Sequence, residues 1–253
     1  WTVVEGQDLR KHPINRNDVE RALSDVFGSD HLIPVLGPAI NSGRALLLYG
    51  HAGTGKSYVA SRVLNAMNTS VFIPYAVYAD GNIIKVFSEH HHRRLDNSHS
   101  QIFVKLETHY DKRWVLCERP NIQVGGELTL DMLEVNHSEH NRVWIAPLQM
   151  MANNGILVID DLGRQSMPVD ALLNRWIVPM EYLFDHLALP NGQQVTVPFM
   201  LTLAFSSNFA PSKIAEPAFL RSSNFWILPV DVLGNSPKTT ALGILNPAKC
   251  FLQ

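Results

Sequence analysis

Cysteine is scarce in this chain of 253 residues. Cys117 and Cys250 stand far apart, without the paired spacing of a metal knuckle, so a disulfide framework and a zinc site are both disfavoured. A reducing cytoplasm is the expected compartment. Charge is also thin: 17% of residues are charged, and 21 basic against 23 acidic side chains leave a formal charge of -2. That near-neutral balance lacks the strong positive field by which many proteins hold nucleic acid. No apolar run approaches the roughly 18 residues of a membrane span. Trp1-Thr2-Val3-Val4-Glu5 has neither the basic start nor the apolar middle of a signal peptide. A protein without a membrane span and without export is expected. Apolar residues, by contrast, make up 46% of the chain. At this length they suffice to bury about 70 to 75% of the extended surface, in one large domain or a large one with a small appendage.

Residues 1 to 30 are polar. Asn17-Asp18 ahead of Val19, Ala22, Leu23 and Val26 supplies a capping side chain and then helical spacing, which predicts one short helix ending near Gly28. From Arg44 to Tyr49 an apolar run meets a glycine-rich turn, and Tyr58, Val59, Val63, Leu64 and Met67 follow: strand, loop, helix. Val71 to Tyr78 reads as a second strand and Ile83 to Phe87 as a third. Gly155 to Asp160 is a continuous apolar run ending in acid, as in a parallel strand buried on both faces, and Phe199 to Phe205 has the same character. Between them, Leu187 to Val197 alternates around Asn191-Gly192, a hairpin signal. Buried strands alternating with helical segments predict an open α/β sheet. Glu89 to His109 is polar without a period and reads as a mobile insertion.

The strongest motif is Gly50-His51-Ala52-Gly53-Thr54-Gly55-Lys56-Ser57, a full match to the phosphate-loop pattern between a predicted strand and a predicted helix. Glycines let successive backbone N–H groups turn toward phosphates, and the helix N-terminus adds positive potential. Lys56 would reach the terminal phosphates of ATP, and Ser57 would offer a hydroxyl to Mg2+. The expected binding segment runs from Gly50 through Tyr58, with His51 on the loop surface. Such a loop needs an acidic strand end, and Ile156-Leu157-Val158-Ile159-Asp160-Asp161 supplies it about a hundred residues later. Asp160 is the metal-side carboxylate. Asp161 is the candidate for polarising the attacking water, one methylene shorter than the glutamate found there in many ATPases.

Together with a strand ending in Ser206-Ser207-Asn208, these motifs resemble the AAA+ ATPases over roughly residues 30 to 230. The resemblance implies a RecA-like core over 31–230, a helical extension over 1–30, and a tail or lid remnant over 231–253. It further implies that Asn208 is the sensor-1 residue near the γ-phosphate, and that Arg221, in Glu216-Pro217-Ala218-Phe219-Leu220-Arg221, is the arginine finger serving a neighbouring subunit. A homo-oligomer, a hexameric ring by resemblance, follows from a finger acting in trans. The helix from Leu172 to Glu181 followed by the hairpin is similar to the MoxR-like branch, whose members remodel or activate protein complexes. Leu157 to Gly163 also resembles the acidic strand of the DnaC and IstB group, which load helicases or assist transposition on DNA. The hairpin and the near-neutral charge favour a protein client over nucleic acid. The family's helical lid is not evident in Asp231 to Gln253: it is reduced, lost with a longer chain, or supplied by a partner. A small-molecule kinase and a nucleotide-gated scaffold with little hydrolysis remain the other classes.

Weaker features have plainer readings. Consecutive His90, His91 and His92 do not converge on one ion, so a solvated loop facing a partner or a ring pore is expected there, its basic character leaving nucleic acid open. Tyr110, Trp114 and Trp144 read as core or interface, since no basic stripe interleaves them. Gly125-Gly126-Glu127 reads as a structural loop, and Arg142 and Arg175 as surface ion pairs.

Overall fold

The structure, a computed structural model, describes residues 1–26, 32–67, 69–95, 110–138, 143–215 and 225–230. Its elements in chain order begin with α1 (Thr2–Gly6), α2 (Arg16–Ala22), α3 (Ile33–Asn41), β1 (Ala45–Tyr49) and α4 (Lys56–Ala66). There follow β2 (Ser70–Pro74), β3 (Ala76–Ala79), β4 (Asn82–Lys85), β5 (Trp114–Glu118), β6 (Asn121–Val124), β7 (Asn136–Ser138) and β8 (Val143–Ile145). The rest are α5 (Leu148–Met151), β9 (Ile156–Ile159), α6 (Val169–Tyr182), β10 (Phe184–Ala188), β11 (Gln194–Pro198), β12 (Thr202–Ser207) and β13 (Phe225–Pro229). Among the described residues no helix is long and apolar enough to cross a membrane.

The apolar runs form a five-stranded parallel sheet in the order β13-β1-β12-β9-β6. This is the open α/β sheet that the run pattern predicts. Side chains alternate across it, so each central strand feeds two cores. Leu46, Leu48, Ile156, Val158, Ala204 and Leu228 pack with α2, α3 and α4 on one face. Leu47, Leu157, Ile159, Leu203 and Phe205 pack on the other with Leu172, Leu173 and Trp176 of α6. The edge strand β6 buries Ile122 and Val124 and leaves Asn121 and Gln123 exposed, so one face is apolar and the other polar.

The N-terminal region departs from the expected single helix. Two helices, α1 and α2, form there, and the cap of α2 is Asn15: its side chain accepts from the Asp18 amide at 3.0 Å while Asp18 accepts from the Asn15 amide at 2.9 Å. The helix ends at Ala22, and Gly28 lies outside the described residues. No pattern announced α3, whose Pro34 and Pro38 disguise it; a proline in the first turn is tolerated, and Pro38 forgoes one internal hydrogen bond.

The expected strand from Val71 to Tyr78 is two strands in two sheets. Pro74 ends β2, which pairs with β5, and Ala76 starts β3, which joins the sheet β3-β4-β8-β7. At the junction the Tyr75 carbonyl accepts from Val86 and Phe87, and its amide donates to Arg113. The later buried strand starts at Thr202 rather than Phe199. The Asn153 side chain takes the Pro198 carbonyl and the Met200 amide at 2.9 and 2.7 Å, holding the lead-in out of the ladder. The hairpin β10–β11 forms around Gly192 as expected, with φ at +84°.

Arg175 proves to be more than a surface ion pair. Its guanidinium grips Asp185 of β10 with two bonds of 2.6 and 2.9 Å and reaches Glu134 at 3.3 Å. Gln149 donates to Asp185 from the other side, and the second Glu134 oxygen accepts from the Ala188 amide, so the hairpin is tied to α6 and to the small sheet. Arg142 lies outside the described residues. Trp114 and Trp144 are half-buried, and Tyr110 packs its ring against Phe72 at 5.2 Å.

The segment Glu89 to His109 also differs from the reading as a solvated insertion, as far as Leu95 is described. His92 is buried; its Nδ1 accepts from the Ser88 amide at 3.0 Å, which leaves Nε2 to donate to the Met151 carbonyl at 2.9 Å. Arg94 forms a bridge with Cys117. The remainder, from Asp96 to His109, lies outside the described residues.

Two outcomes follow. A Cβ at Gly155 would sit 2.1 Å from the Pro120 carbonyl oxygen, where the chain enters β6 beside β9; Gly155→Ala should lower the unfolding free energy in urea by about 3 kcal/mol. Burial lowers the pKa of the His92 ring, against the opposing pull of its bond to Met151. The unfolded ring takes up its proton below pH of about 6.5 and the folded ring only at lower pH. The stability contribution of neutral His92 is therefore whole above that value and lost as pH falls through the folded pKa. Urea unfolding between pH 8 and pH 5 should show a steeper loss in the wild type than in His92→Asn.

Candidate functional site

The carboxyl ends of β1, β9 and β12 lie side by side, and the chain turns there into polar loops. Beyond β1 the segment Gly50 to Gly55 wraps into the N-terminus of α4. Gly53 and Gly55 adopt φ of +80° and +84°, a left-handed conformation that side chains disfavour, and Gly55 caps the helix. Gly50 is needed for a different reason: a Cβ there would lie 2.4 Å from the Val230 carbonyl oxygen, because the end of β13 crosses it closely. Thr54 is buried and closes the loop through its hydroxyl onto the His51 carbonyl at 2.9 Å, while His51, Ala52 and Gly53 are exposed.

Lys56 is the first residue of α4 and is buried. Its Nζ folds over the loop to donate to the carbonyls of Gly50 and His51 at 3.0 and 2.7 Å. Burial lowers its pKa, partly offset by the negative charges of Asp161 and Asp160. Ser57, one residue on, donates its hydroxyl to Asp160 Oδ1 at 2.8 Å across 103 residues of chain. The two motifs read separately in the sequence thus meet in space. Tyr58 is not drawn into the loop: its hydroxyl donates to Asp25 at 2.7 Å, and Arg62 lies over its ring and also pairs with Asp25.

Asp160 follows β9 directly. Its Oδ1 accepts from Ser57, from Ser206 and from the Asp161 amide, and its Oδ2 from Gln123 at 3.2 Å. Burial pushes its carboxyl pKa up, but these donors together outweigh that and hold it below the ordinary value. It stays a carboxylate. Asp161 stands at φ +50°, and its Oδ1 accepts from the Asn208 amide nitrogen at 2.8 Å. Asn208 follows β12 immediately, so strand ends β9 and β12 bring these two residues together.

The donor set fits Mg2+. Ser57 and Asp160 offer oxygen ligands at contact distance beside the glycine-rich loop, and this small hard cation commonly takes one or two protein oxygens and completes its shell with phosphates and water. Arg221 lies outside the described residues.

Sequence reasoning missed three contributors. Gln123 and Ser206 sit on neighbouring strands and reach Asp160 only through sheet register. Gln165, beyond the acidic turn, donates to the Asp160 carbonyl at 2.9 Å. The alternation of polar and apolar residues from Asn121 to Val124 and the serine pair closing another strand were the available signals. The Gly125 turn, read as a loop without a role, packs here too: its amide donates to Glu127 at 2.9 Å and its carbonyl accepts from Gln165 at 3.3 Å.

No protein-family model matches the chain, and no curated protein matches it. Among solved structures it is similar to the complex between subunits BchI and BchD of magnesium chelatase, at 18% identity and a TM-score of 0.49, over 90% of this chain and 63% of that one. It is also similar to NtrX from Brucella abortus, at 12% identity and a TM-score of 0.45, over 80% of this chain and 36% of that one. NtrX in complex with ADP gives 14% identity and a TM-score of 0.43, over 84% and 38%. The chain therefore spans less than two thirds of the length of each of these proteins.

Gly50→Ala should force the end of β13 away from β1. The readout is faster hydrogen exchange of the Val230 amide, which donates to the Tyr49 carbonyl at 2.8 Å, with a stability loss of about 2 kcal/mol.

Proposed function

We propose that this chain binds ATP with Mg2+ and hydrolyses it as a homo-oligomer of AAA+ type, using the cycle to remodel or activate a protein complex. The observation that carries the reading is the contact of Ser57 with Asp160 beside the loop that Lys56 closes, with Asp161 and Asn208 paired one residue farther on. The loop amides and the start of α4 would cradle the phosphates, and Lys56 would exchange its carbonyl partners for phosphate oxygens. Ser57 and Asp160 would hold Mg2+, which neutralises phosphate charge when bound.

In the reaction a water oxygen forms a bond to the γ-phosphorus while the bond to the β-phosphate bridging oxygen breaks, releasing ADP and phosphate. The water proton passes to Asp161 or to a phosphate oxygen. Asn208 would orient Asp161 and that water. A neighbouring subunit's Arg221 would stabilise the charge that develops. The succession of α6, hairpin and β12 supports the likeness to the MoxR-like branch and points to the exposed tip at Asn191-Gly192 as a contact for a protein client.

A second reading, a nucleotide-gated scaffold, is favoured by one observation: Asp161 is short, and its Oδ1 is engaged by Asn208. ATP turnover against protein concentration, with mass measured in parallel, separates the two. Specific activity should rise with assembly, and Lys56→Ala should lose both ATP binding and turnover. Arg221→Ala should still bind ATP and assemble, with turnover down about 10³-fold. Tight ATP binding and assembly without turnover in the wild type would establish the scaffold instead. Turnover independent of concentration and indifferent to Arg221 would remove the finger and the ring.

A further inference from the structure

Asp161 stands at φ +50°, a left-handed conformation uncommon outside glycine that aspartate tolerates when its surroundings hold it there. The same short turn contains Gly163 at φ +102°. One side chain touches most of this turn. The Gln165 Nε2 donates to the Asp160 carbonyl at 2.9 Å and lies 3.4 Å from the Asp161 carbonyl and 3.3 Å from that of Gly125. Its Oε1 accepts from the Gly163 amide at 2.9 Å. The orientation of the amide is fixed by these partners. Three carbonyls can only accept and the Gly163 amide can only donate, so a flipped group would face like with like on both sides.

The clamp ties the turn to two places. Through Asp160 and Asp161 it fixes the backbone that aims both carboxylates; through Gly125 it anchors them to the end of the edge strand β6. The opposite side of the turn is held independently: the Leu162 amide donates to the Ser206 carbonyl, and the Ser207 hydroxyl donates to the Leu162 carbonyl at 2.9 Å. With Gln165 removed, the Ser206 and Ser207 contacts keep Leu162 in place, but the carbonyls of Asp160 and Asp161 lose their side-chain donor. Asp161 is then free to leave its left-handed conformation, and its carboxylate moves relative to Asn208.

The geometry points to Gln165 as a positioning residue for Asp161 in the proposed hydrolysis, acting on turnover and not on nucleotide affinity; this rests on the ATPase reading above. Gln165 touches neither Lys56 nor Ser57 through any hydrogen bond in the site, so the loop that would hold the phosphates keeps its own contacts. A misplacement of the water-directing group by about 1 Å is expected to lower turnover by about 10²-fold.

The test uses Gln165→Met, which keeps the length and bulk but neither donates nor accepts as the amide does, and Gln165→Ala. For each, ATP affinity, kcat and KM are measured at matched assembly, together with hydrogen exchange of the Asp161 and Arg164 amides. Expected are an ATP Kd within about threefold of wild type, a kcat down between about 10-fold and 100-fold, and faster exchange at Asp161 and Arg164 with β9 and β12 unchanged. An unchanged kcat in both variants overturns the assignment, as does a fall in kcat that merely follows lost ATP binding, or unchanged exchange at Asp161 and Arg164. If the wild type binds ATP but turns none over, hydrolysis as the proposed function fails, and the exchange rates alone decide whether Gln165 positions Asp161.

Discussion

A half-buried carboxylate at the end of a parallel strand is the constraint on which the centre of this molecule depends. Burial disfavours the charge of Asp160, and the donors that offset this come from α4, β12, β6 and the next backbone amide. Those elements are far apart in sequence and meet only if the strands lie in the observed register, with Val158 opposite both Ala204 and Gln123. A slip of one residue in β12 would turn Phe205 to the wrong face and carry Ser206 away from Asp160. The electrostatic need of the site and the apolar packing of the sheet therefore specify the same alignment.

Much of the centre was legible in the amino-acid order because the elements involved are short, apolar and bounded by glycine or acid. The phosphate loop, the acidic strand end and the hairpin all carry local signals with a physical reason behind them. The surroundings were less readable. The strand expected from Val71 to Tyr78 splits at Tyr75 because the amide of that residue bonds toward β5 while its carbonyl bonds to Val86 and Phe87 beyond β4, which is a tertiary fact. The helix α3 hides behind its prolines, and the cap of α2 lies two residues before the one that spacing favoured. Gln123 and Gln165 stood outside every motif, and Ser206 was read only as part of a strand end, since the contacts of all three arise from neighbours brought close by folding.

His92 and Arg175 show how a charged or polar residue type misleads when taken with its sequence neighbours. In a run of histidines and arginines the natural inference is a wet loop, yet His92 uses both ring nitrogens to close a buried turn. Arg175 sits on a helix otherwise rich in exposed side chains and spends its guanidinium on a buried aspartate. Such groups are worth little net against apolar replacements, but leaving one partner behind is costly, so they enforce which elements pack together.

The grip of Arg175 on Asp185 has a mechanical meaning. Asp185 lies near the base of the first hairpin strand, and the tip around Asn191-Gly192 projects beyond it. A load applied at the tip is borne at that base by a two-pronged ionic contact to α6, and by Glu134 holding Ala188 a few residues farther along. The base of the hairpin is thus braced on α6, and α6 is the next helix in the chain after the acidic turn. The brace at Asp185 and the turn that carries Asp161 are joined through α6 by one short stretch of chain.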